Sequence, residues 1–349
     1  MNHRIAYQGE EGCYSESAVF QLFGGNNVNG MPCESFEVAF KSVSKGEATF
    51  ALMPIENSLG GSIHANYDLL IKYGLHIVAE LNFRVRHSIM ALPGVQMKDV
   101  KKVLSHYQAL AQCDGYIRNR KLEPKATYDT AGSAKMIRDQ NLKDCAAICS
   151  AHAAKIYGLN VLEEGIEDDK TNFTRFLLLS KTSIYPTVDS PKTTTSRCKT
   201  SIVLTLPNAP GALYKVLAAF SLRDIDLTKV ESRPISATAL KDAIEGMDSS
   251  WNTKKRETIS KNKMKVDMKR SKYQYLFYLD FVGSVNDENV CVFSPLDALS
   301  LSLSLCVLLF YTYPNHIYSY QHIIIPGTKR STSCRRNGCG ISCTRIVSC

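Results

Sequence analysis

Tryptophan is nearly missing from this 349-residue chain; the single one, Trp251, falls in a lysine-rich stretch unlike the rest. Long apolar runs are missing too. The run Ala298–Tyr313 stops at 16 residues, short of the roughly 20 that span a bilayer, so a membrane partner is not expected. Metal-ligand spacing is absent among the twelve cysteines. Six of them, including Cys13, Cys33 and Cys113, are scattered through the first 290 residues. The last four, Cys334, Cys339, Cys343 and Cys349, are irregularly spaced, with no histidine in the final 25 residues. No metal site is expected, and the scattered six read as reduced thiols of an intracellular protein. No leader is visible either. Met1–Arg4 runs straight into the strand-like Ile5–Tyr7, with neither a secretory signal nor a Ser/Arg-rich transit sequence, so the chain as written reads as cytoplasmic.

Acidic residues are scarce in two places only. Residues 291–349 hold Asp297 against five Lys/Arg, and residues 235–272 hold five acids against ten bases. These two segments account for the entire formal charge of +9; the remainder balances at 27 against 27. The part with globular character is neutral, so a nucleic-acid partner is not expected.

What is present over residues 1–180 is an alternation of short apolar runs with amphipathic stretches. The spacing predicts strands at Ile5–Tyr7, Phe50–Ile55, His76–Phe83, His87–Leu92, Val100–Leu104, Ala146–Cys149 and Thr174–Leu179. Helices are predicted from near Ser15, with Ser15 as N-cap, and over Ser35–Val43, Ile63–Leu70, Gln108–Asn119, Ala131–Gln140 and Ala151–Tyr157. Such alternation implies an α/β domain with a largely parallel sheet and ligands at the carboxyl ends of strands. Residues 183–199, rich in Pro, Ser, Thr and Lys, read as a linker.

Four polar clusters carry candidate chemistry. Glu56-Asn57-Ser58 before Gly60-Gly61 offers amide, hydroxyl and main-chain N–H groups to a carboxylate- and hydroxyl-bearing ligand, or equally a polar turn that caps the next helix. Ser105-His106-Tyr107-Gln108 and Asp129-Thr130-Ala131-Gly132-Ser133 open helices, where capping is the plain reading and ligand binding is compatible with it. Asn172-Phe173-Thr174-Arg175-Phe176 sets an arginine fork beside an apolar strand, suited to a carboxylate, with an ordinary edge-strand pair as the plain alternative.

In this order the clusters, with Ala6-Tyr7-Gln8-Gly9 ahead of them, resemble the prephenate dehydratase family. The wording Ser58-Leu59-Gly60-Gly61-Ser62-Ile63-His64 is closest to plant arogenate dehydratases. The chain departs from the family pattern at Tyr107 and Cys13. The resemblance, over residues 4–182, implies a two-lobed catalytic domain similar to type II periplasmic binding proteins. Its lobes would comprise about 1–83 plus 165–182, and 84–164. It implies that Thr174, Asn57, Gln108 and Arg175 carry the chemistry, Thr174 assisting the departing ring hydroxyl and Arg175 holding a carboxylate. Glu56, Ser58, Ser105, Thr130 and Phe176 would shape the pocket. It further implies arogenate or prephenate as substrate, no cofactor, and a plastid address.

Residues 200–234 and 273–290 resemble an ACT module, an α+β (βαββαβ) amino-acid sensor. That likeness implies phenylalanine as effector at Asn208, Gly211, Ala212, Leu213, Glu231 and Ser232, within a homo-oligomer. The module reads as interrupted by 235–272 and incomplete, since the tail 291–349 matches nothing expected of a second helix and fourth strand. Its Leu/Ser alternation at Leu299–Leu305 suits translated repeat DNA, and both segments read as artefacts of the gene sequence. The alternative to an enzyme is a non-catalytic two-lobed sensor.

Overall fold

In the computed structural model the described residues are 3–25, 28–182, 198–206, 209–235, 274–283 and 306–314. Asn208, most of the 235–272 stretch and most of the tail lie outside them. In chain order the first elements are β1 (His3–Gln8), α1 (Tyr14–Phe23), β2 (Val28–Cys33), α2 (Phe36–Lys45), β3 (Phe50–Asn57), β4 (Gly61–Ser62), α3 (His64–Tyr73) and β5 (His76–Arg84). There follow β6 (Ser88–Ala91), β7 (Lys102–His106), α4 (Tyr107–Ala111), α5 (Asp114–Asn119), β8 (Glu123–Thr127), α6 (Thr130–Asp139), β9 (Cys145–Cys149), α7 (Ala151–Tyr157), β10 (Asn160–Glu164) and β11 (Phe173–Ser180). Last come β12 (Cys198–Thr205), α8 (Ala212–Ser221), β13 (Leu227–Ile235), β14 (Gln274–Val282) and β15 (Cys306–Pro314).

Three sheets result, with strand orders β2-β1-β3-β11-β5, β10-β6-β9-β7-β8 and β13-β14-β12-β15. The first two are the lobes. The chain leaves the first lobe after β5 and returns from the second after β10, inserting β11 between β3 and β5, antiparallel to both. Both sheets are therefore mixed rather than largely parallel, because the returning strand and the β10-β6-β9 turns run against their neighbours. The two-lobed α/β arrangement is the one expected. Phe50–Ile55 and Phe176–Ser180 are buried, as central strands covered on both faces must be.

Helix starts follow ordinary capping chemistry. Ser35, Asp129 and Ser150 each accept from a main-chain N–H of the first turn. Ser15 is not such a cap: α1 starts at Tyr14, and the buried Glu16 carboxylate instead takes the N–H of Gly12 at 2.6 Å. Gly12 has φ +86°, and a Cβ there would sit 2.8 Å from the Ala153 Cα, so only glycine lets this loop meet the second lobe. The expected helix over Gln108–Asn119 is two helices, broken at Gln112-Cys113. There the Gln112 carbonyl accepts from Asp168 N at 2.9 Å, which diverts it from helical pairing. Strands β2, β8 and β10, absent from the expectation, are polar edge strands without the apolar pattern that betrays a buried one.

One apolar core joins the two lobes, from Ile5, Leu52 and Phe176 to Met90, Ile137 and Ala147. A second joins the opposite face of the first lobe to the C-terminal sheet: Tyr67, Leu70 and Leu177 meet Val203, Leu276 and Tyr278. In that C-terminal sheet β12 is flanked antiparallel by β14 and by β15. A strand from the tail, β15, thus pairs at the edge of β12, where the reading of the module expected none. Cys306–Pro314, rich in Val, Leu, Phe, Tyr and Thr, is β-prone enough to pair with the free edge of β12. The strand β12 also starts at Cys198, inside the stretch read as linker. No helix among the described residues is long and apolar enough to cross a membrane.

Candidate functional site

The return of β11 beside β3 sets Thr174 opposite Asn57 and Arg175 opposite Glu56. The Asn57 amide works as a clamp. Its Nδ2 donates to Asn172 Oδ1 at 2.8 Å, Phe173 O at 3.1 Å and Thr174 Oγ1 at 3.0 Å. Its Oδ1 accepts from the main-chain N–H groups of Leu59 at 3.0 Å and Gly60 at 2.8 Å. Ser58 adds a second tie, accepting from Phe173 N at 3.0 Å and donating to Thr171 O at 2.9 Å. The Glu-Asn-Ser turn is thereby locked to the returning strand.

From Asn172 the polar contacts continue into the second lobe. Asn172 Nδ2 donates to Gln112 Oε1 at 3.0 Å, and the same oxygen lies 2.9 Å from His87 Nε2. His87 Nδ1 is 2.6 Å from the Tyr14 hydroxyl of α1, and His87 N donates to Glu167 Oε2 at 2.9 Å. Asn172 and His87 are buried. Burial lowers the His87 pKa below its ordinary value and the bond to Gln112 only partly opposes this, so the ring is neutral at pH 7. A group each from the first lobe, the second lobe and both crossing segments meets here.

Arg175 points to the other side of β11. Its guanidinium bonds Glu80 at 2.8 Å, Glu56 at 3.2 Å and Asp280 of β14 at 2.7 Å, with its side chain only 10% exposed. Lys199 of β12 also reaches Glu80, at 2.8 Å. Lys229 of β13 bonds Glu56 and, at 3.0 Å, Glu231. Glu231 accepts from Ser62 Oγ at 2.6 Å. Burial works against the charge on Glu56, but Lys229 and Arg175 outweigh it and hold its carboxyl below the ordinary range; Glu231 is lowered the same way by Ser62 and Lys229. Arg175 therefore ties the first lobe's sheet to the C-terminal sheet instead of presenting a vacant fork to a small carboxylate.

The remaining expected residues divide. Glu56, Asn57, Ser58 and Arg175 line a cavity of about 300 Å³ together with Ser62 and Asn82. Gln108 does not join the Asn57 cluster: it is exposed in the first turn of α4 and its side chain makes no bond to any described residue. Gln112, one turn on, is the glutamine that does. Both sit at helical spacing on α4, and Gln112, at its C-terminal end, is the one within reach of Asn172. Ser105 is fully buried and donates to Ile148 O at 2.6 Å, and Phe176 packs edge-on against Phe83 at 6.2 Å; both are interior groups. Thr130 opens α6 beside its cap Asp129, whose carboxyl burial raises above its ordinary pKa. Of the effector candidates, Gly211 and Ser232 are exposed, Ala212 is buried, Leu213 is half-buried, and Glu231 faces the first lobe. Tyr107, exposed, lies tilted against the His106 ring, centroids 4.4 Å apart.

Arogenate dehydratase 2 of Petunia hybrida is 45% identical over 285 residues, covering 82% of this chain and 66% of that protein. Arogenate dehydratase/prephenate dehydratase 2, chloroplastic, of Arabidopsis thaliana matches with the same identity and coverage. The chain thus spans slightly less than two-thirds of the length of these relatives. Among solved structures, a protein described as a quorum-quenching acylase, GqqA, is 29% identical with a TM-score of 0.69, covering 90% of this chain and 98% of that one. Prephenate dehydratase from Arthrobacter aurescens, solved in complex with L-Phe, is 28% identical with a TM-score of 0.67, covering 89% and 90%. The family model described as Prephenate dehydratase matches residues 5–184, the two lobes and the Asn57–Thr174 clamp included; the chain belongs to the prephenate dehydratase family.

Proposed function

We propose that the chain is a decarboxylating dehydratase that converts arogenate to phenylalanine, prephenate to phenylpyruvate, or both, in phenylalanine biosynthesis in the plastid. The observation that carries this reading is the bond from Asn57 Nδ2 to Thr174 Oγ1 at 3.0 Å. Because the Thr174 oxygen accepts there, its own proton is left to donate to a departing ring hydroxyl. The donation from Asn57 also makes that O–H a better donor. Gln112, with its oxygen held by Asn172 and His87, has its amide N–H groups left for the ring carboxylate or the leaving oxygen. Loss of water and carbon dioxide together yields an aromatic ring, so assisted departure and orientation suffice. Plastid residence rests on the chloroplastic naming of the Arabidopsis relatives.

An acylase reading, after the relative GqqA, needs a nucleophile with a base at its hydroxyl. Here the group on Thr174 Oγ1 is a donor, and among the described residues no imidazole or carboxylate bonds to it. Phenylalanine as effector is supported by the L-Phe complex of the Arthrobacter relative. Exposed Tyr214, Leu222, Val230 and Tyr275 on the C-terminal module are the kind of surface a second copy would cover. The test is to supply the full chain with arogenate and prephenate separately and follow phenylalanine and phenylpyruvate. Product from neither, with either acid still bound, would leave a sensor in place of an enzyme.

A further inference from the structure

The direction of every hydrogen bond between Asn57 and Tyr14 follows from the main chain at one end. Leu59 N–H and Gly60 N–H can only donate, so the atom they meet is Asn57 Oδ1. The other Asn57 atom is then the nitrogen, which also suits the Phe173 carbonyl that can only accept. Asn172 must turn its oxygen to that nitrogen and its own nitrogen to Gln112, whose facing atom must be the oxygen. An oxygen cannot donate, so His87 carries its proton on Nε2. In the neutral ring Nδ1 is then an acceptor; the Tyr14 hydroxyl, which also lies 3.3 Å from Arg86 O, gives its one proton to Nδ1 at the shorter distance of 2.6 Å. Three amide orientations and one tautomer follow from the main chain.

We infer that Tyr14 and His87 are positioning residues of the reaction, acting through Gln112. With two donors on its Oε1, Gln112 cannot flip its amide without setting NH₂ against both, so its N–H groups stay turned away from the relay. The relay starts on α1 of the first lobe, passes through both crossing segments and touches the second lobe at Gln112. Alignment of Gln112 with Thr174 thus requires both lobes to be in register. This inference rests on the dehydratase reading for its consequence, though not for its geometry.

The test compares His87→Leu, His87→Gln and Tyr14→Phe in the full chain. A small misplacement of an orienting group costs up to about 10²-fold. We expect His87→Leu to lose about 10- to 100-fold in kcat with KM changed less than about three-fold. His87→Gln keeps a nitrogen donor and should recover to within about five-fold of the parent, and Tyr14→Phe should lose about three- to ten-fold. In the parent, ¹⁵N spectra of the ring should give a protonated Nε2 and a bare Nδ1. Normal kcat in His87→Leu, equal impairment in His87→Gln, or a ring protonated on Nδ1 would each overturn the relay. A parent chain inactive on both acids would instead sink the dehydratase reading, and the ring resonances would still judge the relay.

Discussion

The junction between the two lobes and the junction between the catalytic and C-terminal sheets are both polar, yet they are built from opposite materials. The first uses amides, a hydroxyl and a neutral imidazole, each bond with a fixed direction. The second uses ionised groups: Arg175, Lys199 and Lys229 against Glu56, Glu80, Glu231 and Asp280. Neutral directional bonds fix geometry and change little with salt or mild pH shifts. Ion pairs attract without needing a single geometry, and they respond to both. Under the proposed function the reaction, which depends on aim, sits at the first junction; the second attaches the C-terminal sheet.

The largest expected effect breaks the ionic junction. Arg175→Ala leaves Glu80 and Asp280 with a missing partner in buried surroundings, and should destabilise the chain by about 3–5 kcal/mol, read from the urea midpoint. Next come Thr174→Ala and Asn57→Ala, each expected to lower kcat by about 10²–10³-fold, or about 2.7–4 kcal/mol of transition-state stabilisation, while thermal stability changes less. Near-normal turnover in either would remove that residue from the site.

Acid sharpens the contrast further. Glu56 and Glu231 have folded pKa values below their ordinary value, so their contribution is complete above about pH 4.3 and is lost as pH falls through the lowered values. Lys229 is raised, because burial is outweighed by Tyr67, Glu56 and Glu231; its contribution holds below about pH 10.4 and is lost above. Docking of the module should therefore be flat between roughly pH 5 and 10, as read by protease sensitivity of the full chain, and weaken on either side. The smallest effect is at Gln108. An exposed side chain with no bond among the described residues should tolerate Gln108→Ala with less than about a two-fold change in kcat, whereas Gln112→Ala should cost ten-fold or more, on the order of 1.4 kcal/mol.

Much of this was legible in the residues themselves. Phe50–Ile55 read as a buried strand because both of its faces are apolar, Thr174–Leu179 read as a strand running into the apolar Leu177-Leu178-Leu179, and the two lie side by side inside the sheet. The polar runs at 56–58 and 172–175 were legible as candidates because such groups seldom end apolar strands without purpose. Gln108 and Gln112 were not separable, since both sit at helical spacing, with Gln112 N bonded to Gln108 O at 2.9 Å, and only the long-range bond to Asn172 distinguishes them. His87 was one histidine at a strand start, and Tyr14 one aromatic at a helix start. Neither carries a local mark of its long-range partner.

By itself the sequence determined which segments must be buried, where helices begin, and which polar groups stand at strand ends, because these follow from periodicity and from main-chain hydrogen-bonding needs of nearby residues. It also determined that the charge is concentrated outside the neutral lobes. Only the tertiary structure decided that Thr174 and Arg175, adjacent in the chain, serve opposite faces of one strand. One joins the neutral relay and the other the ion pairs with Asp280, 105 positions away. Side chains alternate across a strand by local rule, but what waits on each side is set by strands brought from far along the chain.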